Sequence, residues 1–155
     1  MMTEKDRQIE TVEMLAKHEE TIGQLYKEYA DKYPEHRDFW LALADDENQH
    51  ARWINELHSK IEEGSVHFKQ DRFQIPAIRH SLNYVQKMLL KSIEPGFELI
   101  EALSTAWYIE DALLENRFFE VFETDSADLK ETLRKLAEAT DQHRQRIHDA
   151  KAQNQ

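Results

Sequence analysis

The sequence predicts an all-α protein whose long helices form a four-helix bundle. Glycine and proline, the residues that interrupt helices, are rare, with three of each in 155 residues. Between these breaks the apolar residues recur every three or four positions, which is the spacing of one helix face. The length suits one domain. We therefore expect residues 1–155 to form a single helical bundle, with a polar tail from about residue 151 and no sheet.

The positions of the breaks predict four long helices. Thr3 is a suitable N-cap for the first helix, and proline in the first turn favours the start of the second. Gly23 lies inside the first helix, where it indicates close packing. The helices are predicted over about Thr3–Asp31, Pro34–Gly64 and Gly96–Glu123, and from a turn at 124–126 to about Ala150.

The lengths of the connections predict how the helices are arranged. The first and second helices are joined by a few residues, and so are the third and fourth, which favours two antiparallel hairpins. About thirty residues separate the hairpins. They comprise a predicted loop at 65–74 and a shorter amphipathic helix from Pro76 to near Glu94. Two hairpins joined by one long crossover form the ferritin-like version of a four-helix bundle, here with an additional crossover helix.

The charge and the composition exclude several classes of function. The formal net charge is −11, which argues against nucleic acid and anionic membranes as partners, since both need a positive surface. The chain has no cysteine, so disulfides and thiolate metal sites are excluded. The opening residues are polar, and no stretch approaches the ~20 apolar residues of a membrane span. We therefore expect a cytoplasmic protein.

Polar residues interrupt the apolar face of each long helix near its middle. Three carboxylates meeting at one level of a bundle would repel one another, and a bound cation would relieve that repulsion. Carboxylate and imidazole ligands suit Fe(II), Mn(II) or Zn(II). The spacing of three between Glu47 and His50 places both on one helix face. The six interruptions are Glu19, Glu47, His50, Glu110, Thr140 and His143, and all except Thr140 are predicted metal ligands.

Four of the five predicted ligands have a simpler interpretation. Glu19 can be an exposed helix residue, and Glu47 with His50 can be a hydrogen-bonded pair in the core. Glu110 can be a buried acid paired with a histidine, and Asp111 is an alternative to it one position along.

The neighbouring polar and aromatic residues are expected to have structural roles. Tyr26 is expected in the core with a hydrogen-bonded hydroxyl group. Asp46 is expected as a solvated charge or a charge at the rim. His18 is expected at the surface, together with the other histidines outside the predicted ligand set.

Two segments of the chain resemble the first hairpin of rubrerythrin-like proteins. They are Glu19-Glu20-Thr21-Ile22-Gly23-Gln24-Leu25-Tyr26 and Phe39-Trp40-Leu41-Ala42-Leu43-Ala44-Asp45-Asp46-Glu47-Asn48-Gln49-His50-Ala51. In that family the ligand glutamate of the first helix precedes a tyrosine by seven positions, as Glu19 precedes Tyr26. The residues Glu101-Ala102-Leu103, Ala106 and Ile109-Glu110 look like the start of the second hairpin of the family.

This resemblance implies a non-haem iron protein with one or two bound ions, manganese or zinc being alternatives. Its activity would be that of an oxidoreductase that reduces peroxide or handles oxygen, or it would be an iron-handling protein. Glu19, Glu47 and His50 would hold one metal, and Glu47 and Glu110 would share a second with His143. Family members are often dimers, which implies a homodimer. A rubredoxin module needs four cysteines, so electrons would come from a separate donor protein.

The chain departs from the family at the second Glu-x-x-His motif, where it has Thr140-Asp141-Gln142-His143. A neutral hydroxyl group replaces one bridging carboxylate, which predicts two metal sites of unequal affinity. The alternative is a non-enzymatic helical bundle whose degenerate metal site serves a structural or partner-binding role.

Overall fold

The computed structural model describes residues 3–64, 66–68, 75–115, 122–124 and 127–154. Helices account for most of them, and a 3-10 turn at Pro34–His36 joins the first two. The helices are α1 (Glu4–Lys32), α2 (Arg37–Glu62), α3 (Ile75–Ser92), α4 (Leu99–Glu115) and α5 (Ala127–Gln153). The predicted all-α class, a ferritin-like bundle with an additional crossover helix, is confirmed.

The ends of the first two helices follow from individual residues. The Thr3 hydroxyl accepts a hydrogen bond from the backbone N–H of Asp6 at 3.1 Å, and the Asp6 carboxylate accepts one from the N–H of Thr3 at 3.0 Å. This reciprocal pair satisfies two donors at the start of α1. Gly64, just beyond α2, has a φ of +84°, a left-handed conformation that ends a helix and that glycine adopts without strain.

The two hairpins are α1 with α2 and α4 with α5, and α3 lies along α1. Large aromatic side chains fill the core near the first hairpin, where Trp40, Tyr26 and Tyr29 are fully buried.

The Lys32 ammonium group joins the ends of α1 and α3. It donates hydrogen bonds to the carbonyl groups of Ser92 at 2.5 Å and of Glu94 at 3.2 Å.

The expectation of no sheet is wrong, because the structure adds a short two-stranded ribbon to the predicted helices. Strands β1 (Val66–Phe68) and β2 (Phe122–Thr124) pair antiparallel, with Val66 opposite Thr124. The predicted loop therefore contains a strand, and the helix predicted to reach Glu123 gives way to an extended segment. Valine, phenylalanine and threonine all favour strands. The rest of these predictions, at residues 65, 69–74, 116–121 and 125–126, lies outside the described residues.

The expected surface position of His18 is wrong. Its side chain is fully buried, because α3 covers this face of α1. The His18 Nε2 atom lies 2.8 Å from the hydroxyl oxygen of Ser81 on α3. In the described part of the chain, no helix is both long and apolar enough to cross a membrane.

Candidate metal centre

The five predicted ligands lie together in the interior of the bundle. They form two groups, Glu19 with Glu47 and His50, and Glu47 with Glu110 and His143. Within each group one potential ligand atom per residue lies within 4.8 Å of the others. Each of the five residues is at most 2% exposed. Glu47 belongs to both groups, so its carboxylate occupies the position of a bridge.

The two oxygens of Glu47 face different histidines. Its Oε1 atom lies 3.0 Å from Nδ1 of His143, and its Oε2 atom lies 3.5 Å from Nδ1 of His50. The two imidazole rings stack with their centroids 5.3 Å apart. Glu110 Oε1 is 3.4 Å from His143 Nδ1, and Glu19 Oε2 is 3.9 Å from His50 Nδ1. Both histidines therefore present Nδ1 to the carboxylates.

Several ligand atoms of this cluster have no hydrogen-bond partner among the described residues. They are both carboxylate oxygens of Glu19, Oε2 of Glu47, Oε2 of Glu110 and Nδ1 of His50. A buried polar atom without a partner costs free energy. A divalent cation would satisfy these oxygen and nitrogen atoms together, and oxygen and imidazole donors suit Fe(II), Mn(II) or Zn(II). The residues therefore fit a metal ion.

Burial makes two of the carboxyl groups weak acids in the metal-free chain. Burial, followed by the charge of Glu47, raises the pKa of Glu19 well above its usual range. The same two causes, in the same order, raise the pKa of Glu110 to about 8. Burial therefore favours the protonated form of both carboxyl groups when no cation is present.

The opposite charges of the cluster lie on Glu47 and His143. Burial alone would raise the pKa of Glu47, but the neighbouring Glu19, His143 and His50 outweigh it and hold that pKa well below its usual range. Burial would likewise lower the pKa of His143, but hydrogen bonds with Glu110 and Glu47 raise it to about 11. A metal ion must displace the proton on His143 to use its Nδ1 atom.

Asp46 is a functional candidate that was expected only as a solvated or rim charge. Its Oδ2 atom lies 2.9 Å from Nε2 of His143, and its side chain is 49% exposed. With the Nε2–H group donating to this carboxylate, the Nδ1 atom of His143 is left to face the cluster, as second-shell carboxylates do for metal-bound histidines. The sequence offered one signal that could have identified Asp46, namely its position next to Glu47 on α2.

Tyr26 confirms its expected role as a core aromatic with a hydrogen-bonded hydroxyl group. It donates to Oε1 of Glu110 at 2.9 Å. The bond joins α1 of the first hairpin to α4 of the second, and it fixes the orientation of the Glu110 carboxylate.

The Thr140-Asp141-Gln142-His143 motif on α5 presents no carboxylate to the cluster. The hydroxyl group of Thr140 is buried and donates to the backbone carbonyl of Leu136 at 2.8 Å. Asp141 and Asp111 both pair with Arg144, at 3.0 and 2.7 Å, away from the ligand groups. Asp111 is therefore not the acid that joins the cluster, and Glu110 is.

Gly23 explains how α1 approaches α2 beside the bridging glutamate. A Cβ atom at this position would lie 3.0 Å from Oδ1 of Asn48 and 3.6 Å from Cβ of Glu47. The close packing predicted at Gly23 is confirmed. Glycine thus lets the two helices come close together. The carboxylate of Glu19 can therefore lie near enough to Glu47 and His50 for all three to contact one metal ion.

The fold and the site define a ferritin-like helical bundle with a buried carboxylate–histidine cluster. A model of the rubrerythrin family matches residues 10–96, which is more than half of the chain. The chain belongs to the rubrerythrin family. The match contains Glu19, Glu47 and His50 but not Glu110 or His143. A search of curated proteins found no match, and a search of solved structures found none either.

Proposed function

We propose that this protein binds iron through the five clustered residues and uses it to reduce peroxide. The convergence of two buried carboxylate–histidine groups on the shared carboxylate of Glu47 is the observation that carries this proposal. Membership of the rubrerythrin family supports the metal-binding part of it. Bound iron would supply a one-electron redox change at neutral pH. A separate reduced protein would return the electrons.

The residues of the chain prepare the site in three ways. Burial of all five ligands keeps bulk water away from the cluster. Asp46 orients the ring of His143, and Tyr26 orients the carboxylate of Glu110. A ligand set held in place before metal arrives loses less conformational freedom on binding.

The two groups are proposed to bind metal unequally. Glu19, Glu47 and His50 supply two carboxylates and one imidazole from one hairpin. Glu110 and His143 complete the second group only through a share in Glu47, and Thr140 adds no negative charge. Two cations close together need bridging anions between them. The first group is therefore the tight site, and the second is the weak one.

Metal content tests this proposal directly. The purified chain is loaded anaerobically with ferrous iron, desalted and analysed for bound metal. We expect close to one tightly bound iron per chain, with a second that is lost on dilution, and we expect Glu47→Gln to abolish both. Glu20→Gln, an exposed neighbour of Glu19 on α1, is the control. If no iron is retained, the proposal is wrong.

The second candidate function is a bundle that has lost its metal chemistry. The hydrogen bond from Thr140 to the backbone of Leu136 favours it, because this helix contributes no carboxylate. Under this alternative the metal-free cluster is held by the Glu47–His143 ion pair at 3.0 Å. Ferrous iron would then change neither the melting temperature nor the metal content.

A further inference from the structure

Trp53 on α2 is an aromatic ring that links the candidate metal centre to the surface of the bundle. Its indole stacks on the imidazole of His50, with centroids 5.7 Å apart and 24° between the ring planes. His50 is 2% exposed, whereas Trp53 is only partly buried. The indole therefore contacts a proposed ligand and also reaches solvent.

The stack of rings continues into the cluster. The His50 ring stacks in turn on the ring of His143, with centroids 5.3 Å apart and 25° between the planes. The Nδ1 atom of His50 faces Oε2 of Glu47 at 3.5 Å, so this nitrogen can bind an ion without the ring turning away from Trp53. Three stacked rings thus lead from the surface to the first group of proposed ligands and on to the second.

The burial of the site creates a need for such a route. All five proposed ligands are at most 2% exposed, so a separate electron donor cannot touch a metal ion held by them. An electron must then tunnel from the surface, and the rate of tunnelling falls steeply with distance and with gaps between atoms. A partly exposed ring in contact with a ligand shortens the path from the surface to the metal.

Other residues that contact the cluster suit this role less well. Tyr26 contacts a proposed ligand through its hydrogen bond to Glu110, but its ring is fully buried. Asp46 is partly exposed, but it contacts His143 of the weak group and offers no ring to stack. Among the described residues, Trp53 is the partly exposed ring that stacks on a ligand of the tight group.

We propose that electrons from a reduced one-electron carrier enter the metal centre through Trp53 and His50. This inference rests on the proposed function, which requires ferric iron to be reduced again after it has reacted. The carrier loses one electron, the ferric ion held by the tight group gains it and becomes ferrous, and the indole ends unchanged. No covalent bond forms or breaks. Trp53 touches neither metal nor peroxide, so it acts through His50.

The absence of cysteine from the chain allows this route to be tested from chosen points on the surface. A single cysteine, introduced as Glu56→Cys on α2 or as Glu20→Cys on α1, carries a ruthenium photosensitiser on its thiol group. Both positions are exposed. Glu56 lies one turn beyond Trp53, whereas Glu20 is the sequence neighbour of the proposed ligand Glu19. A path along the backbone favours the label at position 20, and a path through the stacked rings favours the label at position 56.

A laser flash with a sacrificial donor reduces the label, and the disappearance of the ferric signal measures the arrival of the electron. In chains loaded with one ferric ion we expect faster reduction from position 56 than from position 20. Trp53→Leu should abolish this advantage, whereas Trp53→Phe, which keeps a ring, should retain most of it. The ratio of the two rates is the readout, because a change in the potential of the iron would alter both rates alike.

Two controls accompany the measurement. Zinc has no redox chemistry, so the reduced label should persist in zinc-loaded protein. Tyr108→Leu alters an exposed ring that stacks on Tyr84, and it should leave the ratio of the two rates unchanged.

The possible failures have different meanings. If the unaltered chain retains no iron, the proposed function and this inference are both wrong. If iron is bound but is reduced at least as fast from position 20 as from position 56, or if the ratio survives Trp53→Leu, the inference alone is wrong. The comparison of the two labels in chains that keep Trp53 gives an answer even if Trp53→Leu does not fold.

Discussion

Thr140 is the residue that sets the proposed inequality between the two metal groups. Its buried hydroxyl group is committed to the carbonyl of Leu136. Thr140→Glu should raise bound iron from about one toward two ions per chain, because it adds a bridging carboxylate. In the metal-free chain it should lower the free energy of unfolding by several kcal/mol if the new acid stays charged. Metal analysis and urea denaturation measure the two effects.

The control for this substitution is Thr140→Gln, which has the same length without the charge. It should destabilise the fold less and leave the iron content at about one ion per chain. A gain of iron in the glutamine variant, or no gain in the glutamate variant, would contradict the assignment of Thr140 as the missing bridge.

Asp46 is not a proposed ligand, but it should strengthen metal binding through its contact with His143. Asp46→Ala removes the acceptor 2.9 Å from Nε2 of His143, so the ring is no longer held with Nδ1 toward Glu47. Loss of such partners lowers metal affinity by roughly 10–100-fold. We expect a loss of this size for the weak group. Competitive titration with a metal chelator measures it, and Asp45→Ala, an exposed neighbour, should have no effect.

The clustering of the buried acids was predictable from the sequence because each of them interrupts the apolar face of its helix. Glu19, Glu47 and Glu110 stand where an apolar residue belongs, and a charged group in such a position needs a partner. Asp46 gave no such signal, because it is partly exposed and lies outside the apolar face of its helix. His18 was assigned wrongly for the converse reason. The pattern of α1 alone does not reveal that α3 covers its second face.

At the scale of the elements, the Lys32 contact should matter more than an ordinary surface lysine. Its ammonium group binds the carbonyl groups of Ser92 and Glu94 and lies 5.5 Å from the ring centroid of Phe97. Cations at a helix C-terminus interact favourably with its free carbonyl groups. Lys32→Met should therefore lower the free energy of unfolding by about 1–2 kcal/mol.

Chemical denaturation checks this value, with Lys27→Met as the matched control on the exposed side of α1. Hydrogen exchange gives a second readout. In the Lys32 variant the amides at the end of α3 should exchange faster, while those in the middle of α2 stay unchanged. Equal losses of stability in the two variants would mean that the contact contributes nothing specific.

Helix ends were predicted well where a single local residue decides them. Thr3 and Gly64 act through their own backbone and side chain, so the sequence contains the whole cause. The ribbon was not predictable in the same way. Strand Val66–Phe68 exists because Phe122–Thr124 lies beside it, and a pairing between segments so far apart leaves no periodic signal in either one.

For the whole molecule, the buried acids predict how stability depends on pH. An unfolded glutamate titrates near 4.5, whereas the pKa of Glu110 in the folded chain is about 8. Between these values the folded chain binds more protons than the unfolded chain, so its stability falls as pH rises. His143, with a pKa raised from 6.5 to about 11, acts in the same direction above pH 6.5.

The metal-free chain should therefore unfold at a lower urea concentration at pH 8 than at pH 5.5. Glu110→Gln should make the dependence weaker, because it removes one of the groups responsible. Metal affinity should show the opposite trend and rise with pH, since the ion displaces protons from Glu19, Glu110 and His143. Stability of the metal-free protein that rises steadily over this interval would show that the carboxyl groups are ionised.

The proposed ligands are divided between the two hairpins, and this division sets the order in which the two groups are synthesised. Proteins are synthesised from the N-terminus, and early segments begin to fold first. Glu19, Glu47 and His50 lie in one hairpin and need only local contacts, which form fastest. His143 is the last ligand to be synthesised. A complete set of three proposed ligands therefore leaves the ribosome well before the second group exists. Under the proposed function, the growing chain can bind its first ion while α4 and α5 are still being made.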